Sequence, residues 1–463
     1  MPGKNVILIT IDAMRADRLN CLGHPRKTTP NLDQFAKKGV LFTHAFSNAP
    51  TTAQSFPSIL TSTYPLMYND CIFENKHPLS KQRTTVAETL SRHNYSTCAF
   101  HSNVYLSTRY GYNRGFDTFE DYLGDRFTII ERRTKIEKTF KKILKRKPSK
   151  TSFLFRQLGK TIIRWHGKLN VPYKRAEVIN RKATDWIKNS KPNGFFLWLH
   201  YMDTHLPYAP PKDFLPPSAN LLVLHRLRLQ LNLNVLYAGG SPDISRDDLL
   251  RLIDLYEGEV KYVDHVFGLF LSELEELGIG LDNTFFIVTA DHGDEFMEHG
   301  GLSHSGKLYD ELIHVPLIIR GPGTGEGIVV KQPVSLIDLS PTILELLGIT
   351  KAPETFMGTS LCPILKGEKR AGSTGVISEW ARGKKRRISY RTNEWKYILT
   401  LDEKGMQDEL YDLQRDPKEK KDFSEEKKMK CEEFKTKLLE HILMEEKSRT
   451  KERISALKLR GVI

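Results

Sequence analysis

Three short apolar runs in this chain end on acidic residues or histidines, and this arrangement restricts the fold more than any other feature. The runs are KNVILITID, which ends at Asp12, GFFLWLHYMDTH, which contains Asp203 and His205, and DNTFFIVTADH, which ends at Asp291 and His292. Short runs rich in β-branched and aromatic residues are typical of buried strands. Because they alternate with amphipathic helical segments, we predict an α/β fold with a central, mostly parallel sheet flanked by helices.

The polar residues at these strand ends are predicted to share one site, because ligands of open α/β sheets bind beyond the carboxyl ends of the strands. Asp12, Asp291 and His292 together offer carboxylate and imidazole ligands, which favour zinc or manganese over magnesium. An Asp-His pair at a strand end can also be structural, with the acid capping a helix and the imidazole in the core. A third candidate ligand on a distant strand end favours the metal site.

Two adjacent threonines, Thr51 and Thr52, precede an apolar run in NAPTTAQSFPSILTSTYP. Either side chain can cap a helix that begins near Ser55. A helix N-terminus also provides backbone N–H groups and a positive dipole end that would hold a phosphoryl or sulfuryl group. A threonine hydroxyl is a poor nucleophile alone, but a divalent cation beside it would stabilise its alkoxide. The two roles are compatible, so a cap and a nucleophile both remain open.

The composition favours a folded protein in a reducing compartment. The chain has 463 residues, of which 39% are hydrophobic and 27% charged, and no apolar run reaches the ~18 residues of a membrane-spanning helix. The segment before Asp12 is too short for a secretory signal. Five cysteines without a CxxC motif fit reduced thiols rather than a structural zinc site. We therefore predict a cytoplasmic location.

The net charge of +14 is concentrated in residues 126–175, which contain 17 lysines and arginines and two acids. The rest of the chain is close to neutral, and we therefore expect no nucleic-acid partner. Within this insertion, IEKTFKKILKRK and SFLFRQLGKTIIRWHGKL each place apolar residues on one helical face and basic residues around the rest. Such helices can lie on an anionic membrane surface, here its inner face. The alternative is a cap on the catalytic domain, joined by a leucine-rich insertion at about 218–240.

The pattern changes from about residue 375, where alternating segments typical of antiparallel hairpins precede a charged helix at roughly 424–458. We predict a catalytic domain over residues 1–370 and a smaller C-terminal α+β subdomain over 371–463.

Several segments carry a resemblance to a known family. They include ILITIDAMRADRLNCLGHPRKTTPNLDQFAKKGVLFTHAFSNAPTT, SILTSTYP, FFLWLHYMDTHLPY, IVTADHGDEFMEHGGLSHSGKLYDELIHVPLIIRGPG and LIDLSPTILELLGI. They occur in family order from residue 5 to about 420, and on them the chain resembles the sulfatase family of the alkaline-phosphatase superfamily. The resemblance implies an alkaline-phosphatase-like sandwich and a metal-dependent ester hydrolase acting on an anionic ester, with a glycan or lipid-linked ester among the candidates.

The resemblance also identifies a departure at the nucleophile. Family sulfatases have a C/S-x-P-S/A-R box whose first residue becomes formylglycine. Aligning LTSTYP with the family's LTGRYP places Thr52 at that position, but the proline and arginine are missing and threonine cannot become formylglycine. The chain therefore resembles the threonine-type branches, which are phosphodiesterases, phosphonate-cleaving enzymes and phosphoethanolamine or phosphoglycerol transferases.

By resemblance, the remaining site residues take the following roles. Asp12, Thr52, Asp291 and His292 are similar to a one-metal site, since Ala13 stands where sulfatases have a second acid and His292 where they often have asparagine. His205 and His304 would act with Thr52 in catalysis, or would hold a second metal with Asp203. Residues expected near the substrate or behind the ligands are Arg15, Asp17, Thr51, Asn103 and Lys307, and His299 is expected to support its loop.

The expected function is cleavage of phosphate or phosphonate esters through a covalent Thr52 intermediate. The expected cofactor is zinc or manganese, with magnesium or calcium as alternatives and no formylglycine. Sulfate ester hydrolysis, a phosphoethanolamine- or phosphoglycerol-type transfer, and an inactive binding protein on the same fold remain as alternatives.

Overall fold

The computed structural model describes residues 3–68, 78–123, 173–216, 244–368 and 375–459. The predicted insertions at 126–175 and 218–240 lie almost entirely outside these ranges. The strands are β1 Asn5–Ile11, β2 Val40–Phe46, β3 Ser96–Phe100, β4 Thr118–Glu120, β5 Phe195–Tyr201, β6 Thr284–Ala290, β7 Glu295–Phe296, β8 Leu302–Ser303, β9 His314–Arg320, β10 Ile328–Val330, β11 Val334–Ser335, β12 Val376–Arg382, β13 Lys385–Arg391, β14 Trp395–Asp402 and β15 Gly405–Asp412. The α-helices are α1 Pro30–Lys37, α2 Thr52–Thr61, α3 Val86–Arg92, α4 Ala176–Ser190, α5 Arg246–Glu276, α6 Asp310–Ile313, α7 Leu339–Leu346, α8 Cys362–Leu365 and α9 Lys428–Leu459.

The main sheet has the strand order β10-β2-β9-β6-β1-β5-β3-β4, with β11 paired to β2. Strand β9 is antiparallel to β2 and β6, and the other pairings are parallel. All seven residues of β1, β5 and β6 are buried, which explains their nearly continuous apolar sequences. The predicted α/β class with a mostly parallel sheet is confirmed.

Helices cover both faces of this sheet, as two aromatic contacts on β5 show. The ring of Phe56 from α2 lies 5.3 Å from that of Trp198, and the ring of Trp186 from α4 lies 5.6 Å from that of Phe195. Because side chains alternate along a strand, residues 195 and 198 point to opposite faces. Helices α2 and α4 therefore pack on opposite sides of the sheet.

The register of the central strands brings the predicted site residues together. Ile11 is paired with Tyr201 of β5 and with Ala290 of β6, and the backbone N–H of Asp12 donates to Tyr201 O at 2.8 Å. Asp12 and Asp291 thus leave adjacent strands at the same level.

Helix α2 begins at Thr52, three residues earlier than predicted, and extended Thr51 is its N-cap residue. The Thr51 carbonyl accepts hydrogen bonds from the N–H groups of Gln54 and Ser55 at 3.0 and 2.9 Å, but the Thr51 side chain makes no cap bond. Of the alternatives left open by the sequence, a side-chain cap from Thr51 is therefore not observed, and the Thr51 backbone starts the helix.

Near the C-terminus, β12, β13, β14 and β15 form a four-stranded antiparallel sheet, and α9 packs on it through Phe434 and Leu438. Predicted antiparallel strands followed by a terminal helix are observed. The domain boundary at residue 370 stays a prediction, since residues 369–374 are outside the described ranges. Within those ranges, no helix combines the length and the apolar character needed to cross a membrane.

Candidate active site

Asp12 is fully buried and its two carboxylate oxygens have different surroundings. Oδ2 accepts hydrogen bonds from Asn103 Nδ2 at 2.9 Å and from His200 Nε2 at 3.2 Å, and Thr52 Oγ1 lies 3.4 Å away. Oδ1 has no hydrogen-bond partner among the described residues. One face of this carboxylate is therefore saturated, and the other is free to bind a cation.

In Asp291 and His292 too, one side-chain atom is engaged in hydrogen bonds to the backbone while the other points to the same position. Asp291 Oδ1 accepts from the N–H groups of Ala13 and His292 at 3.1 and 2.9 Å, whereas its Oδ2 is buried without a hydrogen bond in the described part of the chain. His292 Nδ1 lies 2.8 Å from Gly293 O, which can only accept, so Nδ1 carries the proton and Nε2 is bare. His292 Nε2 lies 3.8 Å from Asp12 Oδ1 and 3.6 Å from Asp291 Oδ2.

Two carboxylate oxygens without hydrogen bonds and one unprotonated imidazole nitrogen thus lie close together in a buried position. Asp12, Asp291 and His292 therefore have the spacing of ligands to a divalent cation. Buried carboxylate oxygens without partners are unfavourable unless a cation or donor compensates them. Burial and the neighbouring Asp12 carboxylate raise the pKa of Asp291 to about 7. Burial would also raise the pKa of Asp12, but the neighbouring His205, His200 and His292 imidazoles, together with the hydrogen bond from His200, outweigh it and hold that pKa well below its usual range.

Thr52 is the first residue of α2 and lies at the edge of this set, with its Oγ1 3.2 Å from His292 Nε2. Only 5% of Thr52 is exposed. The Thr51 hydroxyl is also buried, but it has no hydrogen-bond partner among the described residues. Of the two threonines, Thr52 is the one whose hydroxyl contacts the candidate metal ligands.

His205 and His304 face each other near these ligands, with ring centroids 5.1 Å apart, and the His304 ring is 4.5 Å from that of His292. His304 Nδ1 donates to Asp294 Oδ1 at 2.9 Å, and His205 Nδ1 donates to Leu206 O at 2.6 Å. Both rings therefore keep Nε2 available. Burial would lower the pKa of His304, but Asp294 outweighs it and the pKa is raised, whereas burial lowers the pKa of His205.

Of the predicted second metal set, His205 and His304 lie close together, but the Asp203 carboxylate is bound elsewhere. The Asp203 carboxylate accepts from Arg175 Nη1 at 3.1 Å and from the Ala176 N–H at 3.0 Å. Its two oxygens therefore close the N-terminus of α4 instead. Where the structure describes the chain, the second group with metal-ligand spacing at this end of the sheet is His292, Asp294 and His304.

Arg15 and Asp17, which were expected near the substrate or behind the ligands, form an ion pair with each other at 2.7 Å. Arg15 Nη1 contacts Glu298 at 2.7 Å and the Asp294 carbonyl at 2.9 Å, and none of its hydrogen bonds within the described residues reaches Asp12. Arg15 therefore joins the segment after β1 to the segment that carries Asp294. It also lines a cavity of about 570 Å³ together with Glu298.

Lys307 and His299 stabilise the β7–β8 hairpin. Lys307 Nζ contacts both carboxylate oxygens of Glu295, at 2.8 and 3.0 Å. His299 lies 2.6 Å from Glu311 and 2.9 Å from the Glu419 carbonyl. The expected supporting role of His299 agrees with these contacts, while Lys307 is occupied by its ion pair.

Sequence reasoning missed His200, Asp294 and Tyr208. His200 lies inside the apolar run of β5, where an unpaired imidazole would be unfavourable, and this was the available signal. Asp294 is the second acid of DHGDEF, and Tyr208 donates to its Oδ2 at 2.5 Å. Their importance arises from contacts between distant segments.

A family model described as Sulfatase matches residues 4–349 of the chain. The chain belongs to the sulfatase family. A second model, described as N-sulphoglucosamine sulphohydrolase, C-terminal, matches residues 298–448. The predicted resemblance is confirmed, and with it the enzyme class, an ester hydrolase of this superfamily. Members of the superfamily are metal-dependent, and this sulfatase-family chain has a set of candidate metal ligands.

Similar proteins span most of this sulfatase-family chain. An arylsulfatase of Clostridium perfringens is 26% identical over 444 residues, covering 90% of this chain and 89% of the relative. Human arylsulfatase K is 24% identical over 450 residues, covering 90% of this chain and 78% of the relative. The crystal structure of the phosphonate monoester hydrolase of Agrobacterium radiobacter matches with a TM-score of 0.73 and 22% identity, covering 96% of each chain. That structural match supports the fold.

Proposed function

We propose that this sulfatase-family enzyme hydrolyses phosphate or phosphonate esters, with Thr52 as nucleophile beside a divalent metal held by Asp12, Asp291 and His292. The main support for this proposal is the position of Thr52 Oγ1, which lies at the start of α2 and 3.2 Å from His292 Nε2. A helix N-terminus favours a bound anion. This position therefore combines a nucleophile, an anion-binding backbone and a candidate cation site.

A cation bound here would stabilise the Thr52 alkoxide and the negative charge of the ester group. Two carboxylates and one imidazole favour zinc or manganese, with magnesium and calcium as alternatives. Thr52 is the fourth candidate ligand.

In the proposed reaction, the Thr52 hydroxyl first loses its proton to solvent, and its Oγ1 then forms a bond to phosphorus while the bond from phosphorus to the leaving oxygen breaks. The leaving oxygen takes a proton from an imidazole Nε2. His304 suits this role because Asp294 orients its ring through Nδ1, and His205 lies opposite. Water then gives one proton to the same imidazole and attacks phosphorus with its oxygen, the bond from phosphorus to Thr52 Oγ1 breaks, and Thr52 takes up a proton from solvent.

Sulfate ester hydrolysis is the second candidate, because the curated relatives named above are arylsulfatases. One similar solved structure is described as bound to its substrate D-glucosamine-2-N,6-O-disulfate, which extends the candidate substrates to sugar esters. The absence of a cysteine or serine at position 52 ranks this function second, since threonine cannot supply formylglycine.

The test is a panel of 4-nitrophenyl esters with one leaving group: a phosphate monoester, a phosphate diester, a phenylphosphonate and a sulfate. Each is assayed with zinc, manganese, magnesium and calcium, using Thr52→Ala as the matched control. We expect kcat/KM to be larger for a phosphorus ester than for the sulfate. Faster sulfate turnover, in protein whose peptide mass shows residues 51–55 unmodified, would reverse the ranking. Inactivity on every ester, in protein that binds no metal, would favour a binding protein.

A further inference from the structure

Three buried side chains form a line of hydrogen bonds that ends on Asp12. The indole N–H of Trp198 donates to Thr10 Oγ1 at 3.0 Å, and Thr10 Oγ1 lies 3.0 Å from His200 Nδ1. His200 Nε2 then lies 3.2 Å from Asp12 Oδ2. All four residues have no exposed surface, so water does not compete for these bonds.

The chemistry of each partner fixes the direction of the bonds. A carboxylate only accepts, so His200 Nε2 carries the proton and donates to Asp12. An indole N–H only donates, so Thr10 accepts from Trp198 and offers its own hydrogen to His200 Nδ1. The Leu199 carbonyl is the more distant acceptor for that hydrogen, at 3.2 Å.

Packing holds the His200 ring in this orientation. The Phe56 ring of α2 contacts it edge-on, with centroids 5.0 Å apart and an angle of 87° between the planes. Phe56 lies on the same helix as Thr52, four residues further along. The His200 side chain is thus fixed between the sheet and the helix that carries the candidate nucleophile.

The hydrogen bonds on Asp12 Oδ2 determine how this carboxylate can bind a cation. Its Oδ2 accepts N–H groups from both His200 and Asn103, while Oδ1 is free of hydrogen bonds in the described ranges. We infer that His200 is a positioning residue that restricts Asp12 to coordination through Oδ1 alone, and thereby selects small transition-metal ions over calcium. The inference rests on the proposed function, because it assumes that Asp12 and Asp291 hold the metal.

The physical reason is the difference in coordination between the two kinds of ion. Calcium takes six to eight oxygen ligands and readily accepts both oxygens of one carboxylate. Zinc takes about four ligands, each from a single atom. A carboxylate whose second oxygen is occupied by two N–H donors can supply one ligand to zinc or manganese, but offers calcium one oxygen fewer.

The test measures binding of manganese and of calcium to the full-length, metal-stripped protein by isothermal titration calorimetry. The variants are His200→Leu, which removes the donor, and His200→Gln, whose Nε2 amide can donate from nearly the same position. Thr10→Val removes the hydroxyl that orients His200 with little change in volume. Asp291→Asn is the control for the metal site itself, and thermal unfolding checks that each variant folds.

We expect His200→Leu to lower manganese affinity by roughly 10- to 100-fold, the usual effect of removing a group that orients a metal ligand. Calcium affinity should fall less, so the manganese-to-calcium affinity ratio decreases, and His200→Gln should restore most of it. Thr10→Val should change the manganese-to-calcium ratio in the same direction. If His200→Leu does not fold, this variant tests the inference in its place. An unchanged ratio in the folded variants would overturn the inference. Wild-type metal binding by Asp291→Asn would instead overturn the proposed metal site.

Discussion

At the level of single residues, the adjacent Thr51 and Thr52 side chains have different contacts because one precedes helix α2 and the other is its first residue. Thr51 starts α2 with its backbone carbonyl, and its hydroxyl makes no cap bond. Thr52 places its hydroxyl 3.4 Å from Asp12 Oδ2 and 3.2 Å from His292 Nε2. Substitutions of the two should therefore have different effects on catalysis.

We expect Thr52→Ala to fold and to lose several powers of ten in kcat, on the order of the 10⁶ seen when a hydrolase nucleophile is removed. Thr51→Ala is the matched control and should lose far less, since its side chain contributes no cap bond. The kcat values of both variants on the best ester of the panel decide this. An inactive Thr51→Ala together with an active Thr52→Ala would show that Thr51, and not Thr52, is the nucleophile.

Among the secondary-structure elements, a buried charge network joins the C-terminal sheet of β12–β15 to helix α6. Lys396 of β14 has no exposed side-chain surface and contacts Asp310 of α6 at 2.9 Å and Glu419 at 2.7 Å. The Glu419 carbonyl in turn contacts His299 of the β7–β8 loop. The C-terminal sheet therefore helps to position the hairpin next to Asp294 and His304.

We expect Lys396→Met to reduce the free energy of unfolding by about 3 kcal/mol, because it leaves the buried Glu419 carboxylate without its cation, whereas Asp310 keeps its ion pair with Arg391 at 3.1 Å. Lys384→Met is the matched control on the same sheet, where an exposed ion pair with Glu403 at 2.9 Å contributes at most about 1 kcal/mol. Thermal unfolding of the two variants gives the comparison. Equal destabilisation by both would show that the buried network has no special role.

Helix α9 is held to β12 by a second buried cluster, of His441, Glu379 and Glu445. Burial would lower the pKa of His441, but the two carboxylates outweigh it and raise the pKa from 6.5 to about 9. Because the folded-state pKa lies above the unfolded value, this contribution to stability is complete below pH 6.5 and is lost as the pH rises towards 9. Glu445, whose pKa burial raises to about 7, changes stability in the same direction at lower pH.

We therefore expect the unfolding temperature of the wild type to fall between pH 6.5 and 9 more than that of His441→Gln. Thermal unfolding at both pH values measures the difference, and the variant corrects for the other titrating groups. A parallel decrease in the two proteins would contradict the role of His441.

At the scale of the whole molecule, the charge is concentrated in residues 126–175, most of which lie outside the described ranges. Their role as a membrane-binding cap stays a prediction from the sequence, as does the cytoplasmic location. Each basic residue near an anionic bilayer contributes about 1 kcal/mol of attraction. Even partial contact by this segment would be measurable.

We expect the protein to sediment with vesicles containing phosphatidylserine at low salt, and not with vesicles of phosphatidylcholine alone. Replacing Lys141, Lys142, Lys145 and Lys147 by glutamine should weaken this binding, because the attraction depends on charge and is screened by salt. Absence of sedimentation with either lipid would leave the segment as a cap without a membrane role.

The fold class, the strand ends that carry Asp12 and Asp291, and the family could all be predicted from the amino-acid sequence. These features depend on local patterns: buried strands are continuous apolar runs, and parallel strands bring their carboxyl ends to one edge of the sheet. Strand β2 was missed because VLFTHAF begins at Val40, directly after the end of α1 at Lys37 and a two-residue connection, and because its pairing with β9 is a long-range contact.

The partner of each polar side chain could not be predicted in this way, because it depends on how distant segments pack. Asp203 follows β5 as predicted, but Arg175 and the start of α4 take its carboxylate. His200 and Asp294 gained roles because Asp12 and His304 lie beside them in the fold. The physical reason is that a strand fixes where its last residue lies, whereas the direction and bonding of that side chain depend on segments far away in the sequence that pack against it.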